Sequence, residues 1–156
     1  MILNLLTALL LLLSPPKFHS NVVAELRLDN FENELFLEAS LDKRMLAVAL
    51  MSEADCPPKE MLPNCGSQYL IDHFEILING KVVSLQKQAM EIRKDQVVFR
   101  YYLGDMNEKI HLVEARSDYM IEYHEHSELK LNVVLYDTFR QYSLNVSRPK
   151  MKMHLS

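Results

Sequence analysis

Apolar and polar side chains alternate with a period of two along most of this chain, the pattern of strands that bury one face. Residues 21–28 alternate through Leu26 and Leu28, and residues 34–41 through Leu35, Leu37, Ala39 and Leu41. Between them Asp29-Asn30-Phe31-Glu32-Asn33 supplies turn chemistry, so the two runs predict a hairpin. The period then changes: Met45, Leu46, Ala49 and Leu50 share one helical face, and Asp42 stands where a cap is needed. One short helix is predicted there.

Residues 76–79 and 82–85 flank Asn79-Gly80, whose tolerance of positive φ makes it the strongest tight-turn signal in the chain. Residues 89–92 and 97–103 flank Arg93-Lys94-Asp95-Gln96. In the second run Val97, Phe99, Tyr101 and Leu103 share one face against Val98, Arg100 and Tyr102 on the other. Residues 110–115, 119–123, 129–136 and 141–146 continue the pattern, with Leu129, Leu131, Val133 and Leu135 the cleanest stripe. Pro149 then breaks it, and a short strand or a frayed end follows. Strands this short and this regularly spaced predict a mainly-β protein, an antiparallel Ig-like β-sandwich with one or two short helices.

The N-terminus departs from this pattern. Residues 5–13 are almost entirely Leu, about the length of a secretory h-region and short of the roughly 20 apolar residues that span a bilayer. They predict a signal peptide over residues 1–20 and a single sandwich domain over residues 21–156, exported to the periplasm or the extracellular space. Lys and Arg number 17 against 21 Asp and Glu, net −4, and the cations are scattered, which argues against nucleic acid as a partner.

The order of elements carries a resemblance. Residues 18–26, Phe-His-Ser-Asn-Val-Val-Ala-Glu-Leu, precede a hairpin partner and a short helix. Residues 74–85, Phe-Glu-Ile-Leu-Ile-Asn-Gly-Lys-Val-Val-Ser-Leu, follow, and Leu131-Asn132-Val133-Val134 closes the series. This arrangement is similar to that of an exported family of unknown function common in bacteroidete-type bacteria, whose members resemble Ig-like sandwiches. That family commonly opens with a His-Pro pair after its signal, whereas His19 here precedes Ser20. The resemblance implies a fold and an export route, and no activity or site.

Candidate chemistry is sparse. Cys56 and Cys65 bracket a loop containing Pro57, Pro58 and Pro63, and in an oxidising compartment they predict a disulfide. His124 and His126 would project from one face of an extended segment and chelate a divalent ion with Glu122 or Glu128, but on a hairpin tip they are solvated polar groups. Asp72-His73, with Ser67 or Ser84, supplies the residue types of a hydrolytic triad without a G-x-S-x-G elbow. No catalytic residue is assigned. The aromatic positions Phe99, Tyr101, Tyr102, Tyr119, Tyr123, Tyr136 and Tyr142 read as packing rather than as a recognition surface.

Together these features predict a non-catalytic envelope protein that binds or scaffolds another envelope protein. It needs no cofactor and spans no membrane after loss of the signal. A periplasmic metal-handling protein using His124 and His126 is the alternative; a small hydrolase comes third.

Overall fold

The computed structural model describes residues 21–53 and 55–156; the expected signal segment lies outside the described residues. The chain forms β1 (Val22–Phe31), β2 (Glu34–Asp42), α1 (Lys43–Met51), a wide π-type turn (Met61–Gly66), α2 (Ser67–His73), β3 (Phe74–Ile78) and β4 (Lys81–Val82). Six strands follow: β5 (Gln86–Ile92), β6 (Gln96–Asp105), β7 (Leu112–Ser117), β8 (Glu128–Leu135), β9 (Thr138–Leu144) and β10 (Lys150–His154).

Two sheets result, a six-stranded one in the order β5-β6-β2-β1-β8-β9 and a four-stranded one in the order β10-β7-β3-β4. The inner faces meet in one hydrophobic core. The stripes Leu35–Leu37–Ala39–Leu41, Val97–Phe99–Tyr101–Leu103 and Leu129–Leu131–Val133–Leu135 face Phe74, Ile76, Val113, Ala115, Met151 and Met153 of the smaller sheet. The protein is therefore the β-sandwich that the alternation predicts. One pairing differs from the all-antiparallel expectation: β1 lies parallel to β8, with Leu26 opposite Leu131 and Leu28 opposite Val133. Both strands bury every second residue, so either direction of pairing satisfies the same stripe.

Local chemistry explains most elements. The Asp42 carboxylate accepts a hydrogen bond from the Met45 N–H at 2.9 Å and caps α1, which buries Leu46, Ala49 and Leu50. Asn79 and Gly80, at φ 50° and 80°, turn β3 into β4. The Asn79 side chain also clamps the approach to β7, its Oδ1 accepting from His111 and Leu112 and its Nδ2 donating to the Lys109 carbonyl. Gly66 is buried where an added Cβ would stand 3.0 Å from Leu46 and 3.5 Å from Phe99, so its missing side chain lets the π-type turn lie on the core.

Residues 119–123, expected as a strand, are instead a run of turns. Met120 is left-handed at φ 63°, the Ser117 hydroxyl accepts from Tyr119 N–H, and the Met120 carbonyl accepts from Tyr123 and His124. Tyr119 and Met120 are both buried, so their apolar pattern reflects a buried turn rather than a strand face.

The β8–β9 turn carries strain. Tyr136 and Asp137 both lie at positive φ, 50° and 62°, without a glycine. Asp137→Gly is expected to stabilise the protein by about 0.5 kcal/mol, relieving about 1 kcal/mol of left-handed strain against a more disordered unfolded chain. A urea midpoint that fell in this variant would contradict the account.

Candidate functional site

The outer face of the four-stranded sheet carries a charged concavity. Strand alternation that turns Phe74, Ile76, Ala115, Ser117 and Met151 inward leaves Glu75, Leu77, Glu114, Arg116, Lys150 and Lys152 outside. Register then lines up Lys150, Arg116 and Glu75 across β10, β7 and β3, and Lys152, Glu114, Leu77 and Val82 across all four strands. Arg116 donates to Glu75 at 2.8 Å, and Lys152 stands 3.6 Å from Glu114. Glu75 raises the Arg116 pKa, by hydrogen bond first and charge second.

At one end this face opens into a cleft of about 530 Å³. Its walls include Ile71, Asp72, His73 and Phe74, the segment Val82–Leu85 with Ser84, and Asp118 and Pro149. The cleft exists because β4 pairs with β3 only at Leu77 and Ile78, with one further bond from Val83 N–H to the Ile76 carbonyl. Beyond it the chain crosses to β5 in the other sheet. A volume in this range suits a small ligand or a few residues of peptide.

His73 stands at the junction of α2 and β3. Its Nδ1 is 2.8 Å from Asp118 Oδ1, its ring centroid lies 4.3 Å from that of Tyr69, and its carbonyl accepts from the Ser117 hydroxyl and the Asp118 N–H. Asp118 is the partner that sequence reading misses, because it lies 45 residues away and arrives through the β3–β7 register. Asp72 also lines the cleft, but accepts from Gln68 rather than pairing with His73. Ser67 is buried with its hydroxyl 2.9 Å from that of Tyr101, outside the cleft. Ser84 lines the cleft but makes no hydrogen bond to His73. What the cleft offers is a fixed imidazole–carboxylate pair and a charged ladder, suited to hydrogen bonding and ion pairing.

The disulfide is formed between Cys56 and Cys65, with Cα atoms 6.1 Å apart. It ties the loop after α1 to the π-type turn that leads into α2. With Glu53, Asp55, Gln68, Tyr69, Asp72 and His73 it borders a second hollow of about 190 Å³. Cutting it by Cys56→Ser with Cys65→Ser is expected to cost about 3 kcal/mol in the chain-entropy account of a ten-residue loop. Equal urea midpoints for the variant and the oxidised protein would show that the bridge constrains nothing.

The histidine cluster sits in the turns before β8 rather than on an extended segment. His124 and His126 lie edge-on with ring centroids 6.2 Å apart, His124 Nδ1 accepts from the His126 N–H, and His126 faces Glu125 at 3.3 Å. Among the described residues no group of three or more His, Cys, Asp or Glu side chains is gathered to hold a metal ion, and Glu122 and Glu128 do not join the two histidines in one.

The aromatic positions divide. Phe99, Tyr101 and Tyr119 are core, and Tyr142 is packed against it. Tyr102 lies on the outer face of the large sheet, 5.8 Å from Phe36, over which Arg100 stacks at 4.7 Å. The Tyr123 hydroxyl hydrogen-bonds with that of Ser52, and the Tyr136 hydroxyl accepts from Ile110 N–H. No described helix is long and apolar enough to cross a membrane. No protein-family model matches the chain, and no curated protein matches it either.

Proposed function

We propose that this protein is an exported, non-catalytic binding or scaffolding module of the cell envelope, and that its partner, another envelope protein, docks at the cleft beside His73. The observation that carries the reading is that cleft, an open concavity where the His73–Asp118 pair and the Arg116–Glu75 pair converge on an apolar wall. Two further features support export. Residues 5–13 have the composition of a secretory core, and the Cys56–Cys65 bridge suits an oxidising compartment. The non-catalytic part rests on the absence of a sequence signature for a nucleophile and on Ser67 being occupied with Tyr101 in the core.

The test is mild crosslinking in the native envelope followed by purification and mass spectrometry, for the wild type and for His73→Ala with Arg116→Glu. A reproducible partner that is depleted in the double variant supports the reading. A turnover activity abolished by one substitution at Asp72 or His73 would replace it with catalysis. Co-purified stoichiometric metal, lost in His124→Ala with His126→Ala, would replace it with metal handling.

A further inference from the structure

The cleft does not end at His73. A second concavity of about 550 Å³ on the outer sheet face shares Glu75, Val82, Arg116 and Lys150 with it, so the two form one trough running across the strands. Neighbouring strands lie about 4.8 Å apart, so the crossing from β10 to β4 measures about 14 Å, the reach of about four extended residues. The trough is too long and too open for a compact small molecule to fill. Val82 is 64% exposed at its far end, and Lys150 is exposed at its near end.

Its charges are ordered. Lys150 sits directly opposite Arg116 in the β10–β7 register, a like-charge pair that is unfavourable on an antiparallel ladder. Arg116 is engaged by Glu75, while Lys150 makes no ion pair among the described residues. At the other end Val82 and Leu77 pair across β3 and β4 and present an apolar step. The acids Asp72 and Asp118 lie with His73 at the α2 end of the cleft. A negative group is therefore favoured at Lys150 and disfavoured near His73.

Building on the binding-module reading, we infer that the trough recognises an extended acidic peptide segment of the partner. A carboxylate side chain sits between Lys150 and Arg116, and an aliphatic side chain four residues away reaches Val82 and Leu77. In an extended chain positions i and i+4 share a face and lie about 13 Å apart, which matches the trough. The carboxylate relieves the Lys150–Arg116 repulsion, and the aliphatic group covers the exposed Val82.

The experiment pans a phage-displayed library of random decapeptides on the full-length protein and measures selected sequences as fluorescein-labelled peptides by anisotropy. Enriched sequences are expected to carry Asp or Glu at one position and an aliphatic residue four places away. Lys150→Glu should bind them at least about ten-fold more weakly, the loss of a charge-assisted contact, and should regain affinity for probes with Lys in place of the acid. Lys150 is exposed and opposite Arg116, so a thermal melt by circular dichroism should find this variant at least as stable as the wild type, and Lys150→Met gives the neutral control. The inference is overturned by a library that does not enrich, by enrichment without the acidic position, or by affinities unchanged in Lys150→Glu. If the crosslinked envelope partner still depends on His73 and Arg116 in that case, only the ligand class falls and the binding-module reading stands.

Discussion

Raising the pH from 10 to 12 is expected to destabilise this protein strongly, and the cause is three buried phenols. Burial pushes Tyr101 up to about 12, against the opposing hydrogen bond from Ser67. Burial likewise pushes Tyr69 up to about 12 and Tyr119 well above the ordinary value of 10. Raised pKa values in the folded state mean that their contribution to stability is complete below pH 10. Above it the unfolded chain loses tyrosine protons that the folded chain retains, and stability falls until the folded values are passed. Tyr101 contributes on the order of 2–3 kcal/mol of this loss once its folded value is passed, and Tyr69, at the rim of a hollow, less. The sum is a large part of a domain stability of about 5–15 kcal/mol. Urea midpoints at pH 8 and pH 11 check this, and equal midpoints would refute it. Tyr119 sharpens the test, because its hydroxyl is buried without a hydrogen-bond partner. Tyr119→Phe removes an unsatisfied donor, so it should be neutral or stabilising by up to about 1 kcal/mol at pH 7 and should reduce the alkaline loss.

The second large effect is expected from Phe99→Ala, at about 3–5 kcal/mol of lost stability. Phe99 is fully buried on the inner face of β6, its ring centroid is 6.1 Å from that of Tyr101, and its tip lies close under Gly66. Removing the ring takes away the floor on which the π-type turn rests, and the sheet beneath cannot collapse to fill the space. Phe139→Ala on edge strand β9 supplies the control. That ring is 58% exposed, and its loss should cost no more than about 0.5 kcal/mol. Comparable denaturant midpoints for the two variants would mean that the core is not organised around β6.

Much of this was legible in the order of residues. The stripes of β2, β6 and β8 are buried as their alternation predicts, Asp42 caps α1, Asn79-Gly80 turns β3 into β4, and Cys56 joins Cys65. Each of these depends on neighbours a few residues apart. What escaped depends on distance. The His73–Asp118 pair and the Lys150–Arg116–Glu75 row are products of register between strands far apart in the chain, and the parallel pairing of β1 with β8 leaves no local mark. The Tyr136-Asp137 turn escaped because no glycine marks it and a bulky Tyr136 at positive φ is not what a turn usually carries, although Asp137 tolerates that region. The segment leading to His73 escaped because the Pro-rich stretch between Cys56 and Cys65 reads as loop, whereas the missing Cβ of Gly66 is what lets a helical turn lie on Leu46 and Phe99.

The parallel neighbour of β1 has a consequence for how the protein is made. The first described strand is interior to the larger sheet, hydrogen-bonded to β2 on one side and to β8, about a hundred residues later, on the other. Until residues 128–135 have emerged, the hairpin of β1 and β2 presents an open, Leu-rich edge to whatever strand is near. Completion of the sheet is therefore a late, long-range closure, slow by the logic of loop entropy. A nascent chain shorter than about 135 residues is a sticky intermediate that a holding chaperone has reason to bind.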